Sequence, residues 1–220
     1  MSVNRININY PSSGSEFTVI DTPGFGDKLV EEEKTIESLV TTLRDKIRYV
    51  HVFVIAFRQT DNRMTNSLRS MISLFEKMFG DQFWNNAILE ATHWNHDEES
   101  ERRRGRSEPA LTRDFWTSEF NRKLREEFSL KRDLESVFID TYYHSINMRE
   151  RSIFQEETQK LWQYANTREA FQCKDIKIAL TEIKQLEKDI QDLNRRERES
   201  ISQRQNLLEQ RNRLQYQIDE

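Results

Sequence analysis

Cysteine is almost absent from this sequence, since Cys173 is the single one in 220 residues. A lone cysteine excludes an internal disulfide and fits a reducing compartment. No apolar run approaches the roughly 20 residues that a membrane-spanning helix requires, and the N-terminus has no apolar signal-peptide core. We therefore expect a cytoplasmic protein without a transmembrane segment. The sequence places neither a helix start nor a basic pocket at Cys173, so we expect an inert thiol.

Familiar catalytic and metal-binding patterns are missing as well. The chain has no G-x-S-x-G, H-E-x-x-H or paired-cysteine pattern, and these patterns mark nucleophilic hydrolases, metalloproteases and zinc sites. His93, His96 and Asp97 fall on one polar stretch, but three such residues supply at most a partial metal coordination sphere. The formal net charge of −4 gives no reason to expect nucleic acid as a partner.

The composition is hydrophilic for a purely globular protein. Apolar residues make up 35% of the chain and charged residues 33%, which indicates a long solvated helix. A chain of 220 residues can hold one medium-sized α/β domain and an appendage. We predict a domain over residues 1–170 and a helical segment over residues 174–220.

The most informative stretch is F-T-V-I-D-T-P-G-F-G-D, residues 17–27. Its apolar start predicts a strand buried on both faces, as in parallel sheets. Asp21 would lie at the carboxyl end of that strand, where such sheets bind ligands. The glycines after it, Gly24 and Gly26, let the backbone approach a ligand closely. A carboxylate beside an unhindered amide suits a hydrated Mg²⁺ and a terminal phosphate.

Strand and helix patterns alternate along the rest of the first 165 residues. Residues 3–20 predict an antiparallel hairpin at a sheet edge. Further strands are predicted over residues 50–57, 87–91 and 137–140. Helices are predicted over residues 28–49, 112–128 and about 153–165. Another predicted helix begins after Thr65 and ends at Gly80. The charged stretch 98–109 is interpreted as a solvated loop. The alternation predicts an α/β protein with a three-layer sandwich.

The C-terminal segment has a different pattern. Its apolar residues fall on a heptad, namely Ile183, Leu186, Ile190, Leu193, Leu207, Leu214 and Ile218. Polar residues occupy the remaining seam positions, namely Glu197, Ser200, Arg204 and Arg211. We predict a coiled coil with a weak, polar middle, which pairs with another copy or another helix. The alternative is one long helix that folds back on the α/β domain or frays in solution.

The order of these motifs resembles the GIMAP family, the immunity-associated, avirulence-induced-gene-type GTPases. The resemblance covers about residues 6–165. It starts with D-T-P-G-F-G-D, which is followed by a buried strand and by the segment that runs from Phe57-Arg58 through R-M-T to L-F-E-K-M-F-G. A strand that ends in T-H comes last. Septins, which share a D-T-P-G-type motif and C-terminal coiled coils, are the next family to consider.

The resemblance implies binding of GTP or GDP with Mg²⁺. Asp21 would hold Mg²⁺ through a water molecule, the Gly24 amide would meet the γ-phosphate, and Thr22 would belong to the mobile switch. Thr92 and His93 match the first two residues of the family's base-recognition motif. Where the family has an acidic residue for the guanine N1 and N2 donors, this chain has Asn95 and His96, so Asp97 is the candidate. Tyr142 lies where the family's second base contact falls.

One departure from the family pattern is large. The sequence contains no G-x-x-x-x-G-K-[ST], the loop whose amides and lysine surround the phosphates. In the family fold the strand before that loop is central, between the Asp21 strand and the strand over residues 50–57. Its loss would leave apolar strand edges unpaired, at roughly a kcal/mol or more for each buried amide. We therefore expect either a fragment of a longer protein, which we favour, or a degenerate member.

Three functions are compatible with these patterns. The first is a GTP-binding module whose phosphate binding is impaired or completed by upstream sequence. The second is a non-catalytic pseudo-GTPase scaffold that acts through its coiled coil. The third is an unrelated acid–base enzyme using Asp21, His93 and Asp97, which has no supporting pattern in the sequence. No residue is predicted to be catalytic.

Overall fold

The computed structural model describes most of the chain between Asn4 and Ile176 and parts of a helix beyond it. The described residues are 4–9, 16–21, 33–60, 64, 66–128, 130–176, 185, 188, 189, 192, 195, 196, 199–205, 207, 208 and 210. The chain divides into two compact units. The hairpin unit comprises residues 1–46, 65–74 and 178–220, and the sheet unit comprises residues 47–64 and 75–177.

Helices and strands are interspersed along the described chain. In order they are β1 (Asn4–Asn9), β2 (Glu16–Asp21), α1 (Glu33–Lys46), β3 (Tyr49–Val50), β4 (Phe53–Arg58), α2 (Asn66–Phe79), α3 (Asp81–Asn86), β5 (Ala87–Thr92), α4 (Glu98–Gly105), α5 (Arg113–Glu127), β6 (Ser136–Val137), α6 (Met148–Thr167) and β7 (Phe171–Gln172). The strands β4, β5 and β6 form a parallel sheet in that spatial order. The predicted α/β class with a parallel sheet is confirmed.

The hairpin unit contains the predicted antiparallel pair. β1 pairs with β2 from Asn4 opposite Asp21 to Asn9 opposite Glu16. The prediction that this second strand is buried on both faces is wrong, since the Val19 side chain is 39% exposed. Antiparallel ribbons commonly leave one face open to solvent, whereas burial on both faces is typical of central parallel strands.

The helices of the hairpin unit follow their apolar patterns. In α1, Leu39, Val40 and Leu43 are buried, as the helical spacing predicts. This helix ends at Lys46 rather than at residue 49, because the chain passes into β3. α2 crosses from the hairpin unit into the sheet unit and ends before Gly80. Gly80 has a φ of 61° and its amide donates to the Glu76 carbonyl at 2.8 Å, which confirms the predicted helix end.

The stretch 50–57 does not form the single buried strand that its composition predicts. β3 pairs antiparallel with β7, whereas β4 pairs parallel with β5. Along β4, Ile55 and Phe57 are buried but Val54 is 42% exposed. Among the described residues β4 has β5 as its one strand neighbour, so it lies at the edge of the parallel sheet, where a strand is covered less than a central one.

The core of the sheet unit surrounds β5, which agrees with the predicted strand 87–91. The ring centroid of Phe57 in β4 lies 4.2 Å from that of Phe120 in α5, which in turn lies 4.3 Å from Trp116. A second buried cluster joins β5, β6 and α6 and consists of Ile88, Val137 and Tyr164, with Val52, Ile139 and Leu161 packed against it. The helix pattern around Trp116 therefore forms core, as predicted.

Two elements of the sheet unit differ in length from their predictions. β6 stops at Val137, because the Phe138 amide donates to the Glu157 carboxylate at 2.9 Å instead of to a neighbouring strand. α6 begins at Met148, five residues before the predicted start. Its N-cap is Asn147, whose side chain accepts hydrogen bonds from the amides of Arg149 and Glu150.

The charged stretch 98–109 contains a helix rather than only a loop, which corrects the sequence prediction. α4 has Asp97 as its N-cap, acidic residues in its first turn and three arginines in its last turn. This order favours a helix because the acidic residues lie at the positive, N-terminal end of the helix dipole and the arginines at its negative, C-terminal end. None of its residues is buried. No helix in the described part of the chain is both long and apolar enough to cross a membrane.

Candidate functional site

The ends of β4 and β5 are tied together at the carboxyl edge of the parallel sheet. Thr92, the last residue of β5, donates its hydroxyl to the Phe57 carbonyl at 3.2 Å. Its own carbonyl accepts from the Gln59 amide at 3.0 Å. In open parallel sheets, ligands bind at this edge. Thr92, predicted as the first base-recognition residue, is thus also a fixed anchor for the loop that follows.

The loop after β5, residues 93–97, starts with an unusual backbone conformation. His93 has a φ of 60°, which is uncommon for a residue with a Cβ and costs about 1–2 kcal/mol. Its exposed ring lies 3.4 Å from an Arg58 guanidinium nitrogen and 3.3 Å from the Thr92 hydroxyl. The left-handed residue turns the chain sharply at the sheet edge. Such local strain is concentrated at functional sites.

α4 holds this loop from the outside. The Arg104 guanidinium lies 4.6 Å from the centre of the buried Trp94 ring and donates to the Asn95 carbonyl at 2.7 Å. Burial is the main cause that lowers the pKa of Arg104. The sequence does not predict this contact, because an arginine in a charge-balanced run gives no sign of which side chain will pack on a tryptophan.

Asp97 caps α4, a role that the sequence analysis did not predict. One carboxylate oxygen accepts from the Ser100 amide at 2.9 Å. The hydrogen bonds from Ser100 lower the pKa of Asp97, so the carboxylate is ionised at neutral pH. A carboxylate has about four acceptor positions. The capped Asp97, which is partly exposed, therefore keeps the capacity to accept further hydrogen bonds.

The loop after β6 lies against the loop after β5. Asp140 is 5% exposed, and its two carboxylate oxygens accept from different loops. One accepts from the His96 amide at 3.3 Å and the other from the Tyr142 amide at 2.8 Å. The Tyr142 side chain is 91% exposed. The structure therefore brings the loop that carries Thr92, His93 and Asp97 next to the loop that carries Tyr142.

His96 points into the protein rather than to solvent. It is 1% exposed, and its Nε2 lies 2.9 Å from the Phe138 carbonyl. Its Nδ1 lies 3.4 Å from one guanidinium nitrogen of Arg113, and the other terminal nitrogen donates to the Glu157 carboxylate at 2.6 Å. The described part of the chain contains no group of three or more side chains placed to hold a metal ion.

Protonation of His96 should make stability depend on pH. Burial lowers the pKa of His96 in the folded state, and the positive charges of Arg113 and Arg104 lower it further. The Phe138 carbonyl and the Asp140 carboxylate act in the opposite direction but do not cancel this effect. Below about pH 6.5 the unfolded histidine binds a proton that the folded one resists, so the free energy of unfolding falls as pH falls. Urea unfolding from about pH 7 to about pH 5 should show a weaker dependence for His96→Gln than for the wild type.

His51→Gln is the matched control for this experiment. His51 is exposed and takes no part in the contacts of His96, so the wild-type pH dependence should persist in this variant. An identical pH dependence in His96→Gln and wild type would show that His96 does not contribute.

The remaining predicted site residues belong to the hairpin unit. Asp21 ends β2, opposite Asn4. Thr22 and Gly24 lie outside the described residues.

Cys173, which was predicted to be inert, is fully buried, and burial raises the pKa of its thiol to about 11, so the reactive thiolate is disfavoured at neutral pH.

A parallel sheet with two joined loops at its carboxyl edge defines an open α/β domain, the class of fold in which ligands bind at that edge. Comparison with known families makes the class specific. The AIG1 family matches residues 8–126, more than half of the chain, and the chain belongs to that family. The predicted identification as a GIMAP-type, avirulence-induced-gene-type GTPase domain is confirmed.

Solved structures show the same fold. A structure of the chloroplast translocon components atToc33 and psToc159, reported for the importance of dimerization for their GTPase activity, matches with a TM-score of 0.52. The sequence identity is 15%, and the match covers 78% of this chain and 72% of that chain. At this identity the likeness establishes the α/β fold of a GTPase domain. A comparison with functionally curated proteins gives no match.

Proposed function

We propose that this chain is the guanine-nucleotide-binding domain of an AIG1-type GTPase, which takes GTP or GDP with Mg²⁺. The observation that carries the proposal is the pair of loops that Asp140 joins at the carboxyl edge of the parallel sheet. The family places its base-contacting residues on these two loops. We therefore propose Thr92, His93, Asp97 and Tyr142 as base-side residues.

The chemistry of Asp97 fits a guanine base. Guanine presents its N1 and N2 hydrogens as neighbouring donors, and an ionised carboxylate is acceptor-only. The Ser100 hydrogen bonds keep Asp97 in that form and fix its position at the start of α4. Tyr142 supplies an exposed ring on the opposite loop. For the phosphate side we propose Asp21 as the Mg²⁺ residue, through water, with the Gly24 amide at the γ-phosphate and Thr22 in the mobile switch.

We infer that phosphate binding is impaired in these 220 residues unless further sequence completes it. The glycines at positions 14, 24, 26, 80 and 105 do not provide the spacing of G-x-x-x-x-G-K-[ST]. That loop normally supplies the amides and the lysine that surround the phosphates. The edge position of β4 among the described strands supports the same inference, because the family's first strand would lie beside it.

Nucleotide binding by the purified chain should be weak but selective for guanine. Without the phosphate loop, a fluorescent GTP analogue with Mg²⁺ should bind with a dissociation constant above about 1 μM. GTP should displace it better than ATP, and Asp97→Asn should reduce that preference. Asparagine caps helices as well as aspartate does but is not acceptor-only, so this variant separates base contact from capping.

Two results would contradict these statements separately. Sub-micromolar affinity would show that phosphate binding is not impaired. Equal displacement by GTP and ATP in the wild-type chain would show that these loops do not select guanine.

A second candidate function is a scaffold that associates through the C-terminal helix. The described residues between 185 and 210 are helical, and Ile201, Leu207 and Leu208 are 50%, 64% and 57% exposed. An exposed apolar stripe on a long helix favours pairing with another helix. Dimerization is important for the GTPase activity of the chloroplast translocon components. We therefore propose self-association through this segment as a coiled coil.

A charge placed on the seam should abolish that association. Leu207 lies at a seam position of the heptad, so Leu207→Glu removes burial worth about 1.5–3 kcal/mol in each copy and adds repulsion. Sedimentation velocity should show a weak, salt-sensitive dimer for the wild type and a monomer for the variant. Ser202→Glu, on the outer side of the same heptad, should leave the dimer intact. A wild-type chain that stays monomeric at high concentration would contradict the proposal.

A further inference from the structure

We propose that His96 is a positioning residue that couples the loop of residues 93–97 to the loop of residues 140–143, so that both loops are held in one arrangement. The functional role of this coupling rests on the proposed function, since these loops carry the proposed base contacts. The coupling itself rests only on the contacts of His96 with the segment after β6 and with α5. The sequence resemblance gave His96 no role beyond occupying the place of an expected acidic residue.

The hydrogen-bond partners of His96 fix its protonation state. The Phe138 carbonyl accepts only, so Nε2, at 2.9 Å, carries the hydrogen and donates. Arg113 donates only, so Nδ1, at 3.4 Å, is the acceptor. The imidazole is therefore neutral, with its hydrogen on Nε2. A proton on Nδ1 would face the Arg113 guanidinium in a buried site.

The same residue also connects through its backbone. Its amide donates to Asp140, and the other oxygen of that carboxylate accepts from the Tyr142 amide. His96 thus contacts the segment after β6 twice, through its ring at Phe138 and through its amide at Asp140. Two bonds to successive parts of one loop restrict both the distance and the orientation between the loops.

Arg113 of α5 also restricts the His96 imidazole, through its contact with Nδ1. Arg113, at the start of α5, binds Glu157 of α6 at 2.6 Å, and the other oxygen of that carboxylate accepts from the Phe138 amide. The carbonyl of Phe138 is the acceptor for His96 and the amide of Phe138 is the donor to Glu157. His96, Phe138, Glu157 and Arg113 therefore close a ring of contacts, and each member limits the movement of the next.

This arrangement places the base-side residues. Asp97 directly follows His96 and is the N-cap of α4, so the position of the buried imidazole sets where the capping carboxylate lies. Tyr142 is two residues beyond Asp140, and its amide is held by that carboxylate. Removal of the imidazole should leave both loops folded but free to move relative to each other.

The test compares amide hydrogen exchange of the full chain with three variants. His96→Ala should accelerate exchange of the His96 and Tyr142 amides about tenfold or more, equivalent to about 1.4 kcal/mol. His96→Gln should restore most of the protection, because a glutamine amide can reach the Phe138 carbonyl from the position of Nε2. His51→Ala, which removes an exposed imidazole, should leave both loops unchanged. Nitrogen chemical shifts of the wild-type ring should show the neutral form with hydrogen on Nε2.

The outcomes separate this inference from the proposed function. Faster exchange at His96 with unchanged exchange at Tyr142, equal effects of alanine and glutamine, or a ring with hydrogen on Nδ1 would each overturn the coupling. Millimolar GTP with Mg²⁺, added to the wild type, tests the function instead: slower exchange in both loops supports base binding there. If GTP changes neither loop but the variants behave as expected, the coupling stands and the proposed function fails.

Discussion

Replacing Phe120 by alanine should lower the free energy of unfolding of the sheet unit by about 3–5 kcal/mol. The side chain is 1% exposed, and its ring centroid lies 4.2 Å from Phe57 and 4.3 Å from Trp116. It therefore joins α5 to β4 at the centre of an aromatic cluster. Truncation removes the buried ring area and leaves a cavity that rigid aromatic neighbours cannot fill.

Tryptophan fluorescence during urea unfolding measures this change selectively. The four tryptophans of the chain, residues 84, 94, 116 and 162, all belong to the sheet unit. Ile146→Ala is the control, because Ile146 is 92% exposed and its truncation should change stability by no more than about 0.5 kcal/mol. A loss below about 1 kcal/mol for Phe120→Ala would contradict the description of this cluster as the core.

Replacing Glu157 by alanine should lower the free energy of unfolding of the sheet unit by about 3 kcal/mol. This is the lower end of the range for breaking a buried ion pair. The Glu157 side chain is 10% exposed, and its loss leaves the Phe138 amide and the Arg113 guanidinium without their acceptor. The Arg113 side chain is 40% exposed and can turn partly to water, which moderates the loss. The same unfolding assay applies, since these residues all belong to the sheet unit.

Glu157→Gln separates the two parts of this effect. Its amide oxygen can still accept from Phe138 while the charge opposite Arg113 is gone, so we expect a loss of about 1–2 kcal/mol. Glu156→Ala, at the exposed neighbouring position, should stay within about 0.5 kcal/mol of the wild type. Equal losses for the glutamine and alanine variants would show that the ion pair, rather than the amide contact, accounts for the stability.

The predictions that succeeded depend on local patterns. The apolar run of β5, the helical spacing of Trp116, Phe120 and Leu124, and the glycine that ends α2 each need only a few neighbouring residues to be recognised. The family resemblance rested on short motifs in a fixed order, and the family match confirmed it. These signals are carried by residue type and spacing.

The predictions that failed depend on contacts that the local residue pattern does not specify. The stretch 50–57 divides between two sheets because β3 pairs with β7, near the far end of the described domain, while β4 pairs with β5. The charged stretch became α4 because Asp97 caps it and Arg104 packs on Trp94. Neither the cap nor the packing contact is implied by a balanced run of charges.

The candidate site divides in the same way. The sequence alone determined which residues are available, namely Thr92, His93 and Asp97 after one strand and Tyr142 after another, and that no phosphate-binding loop is among the 220 residues. Only the tertiary structure decided that His96 is buried and neutral and that Asp140 joins the two loops. The physical reason is that a polar side chain can be buried only where complementary donors and acceptors converge. For His96 these come from the segment after β6 and from α5, which are separate in sequence and meet only in the folded chain.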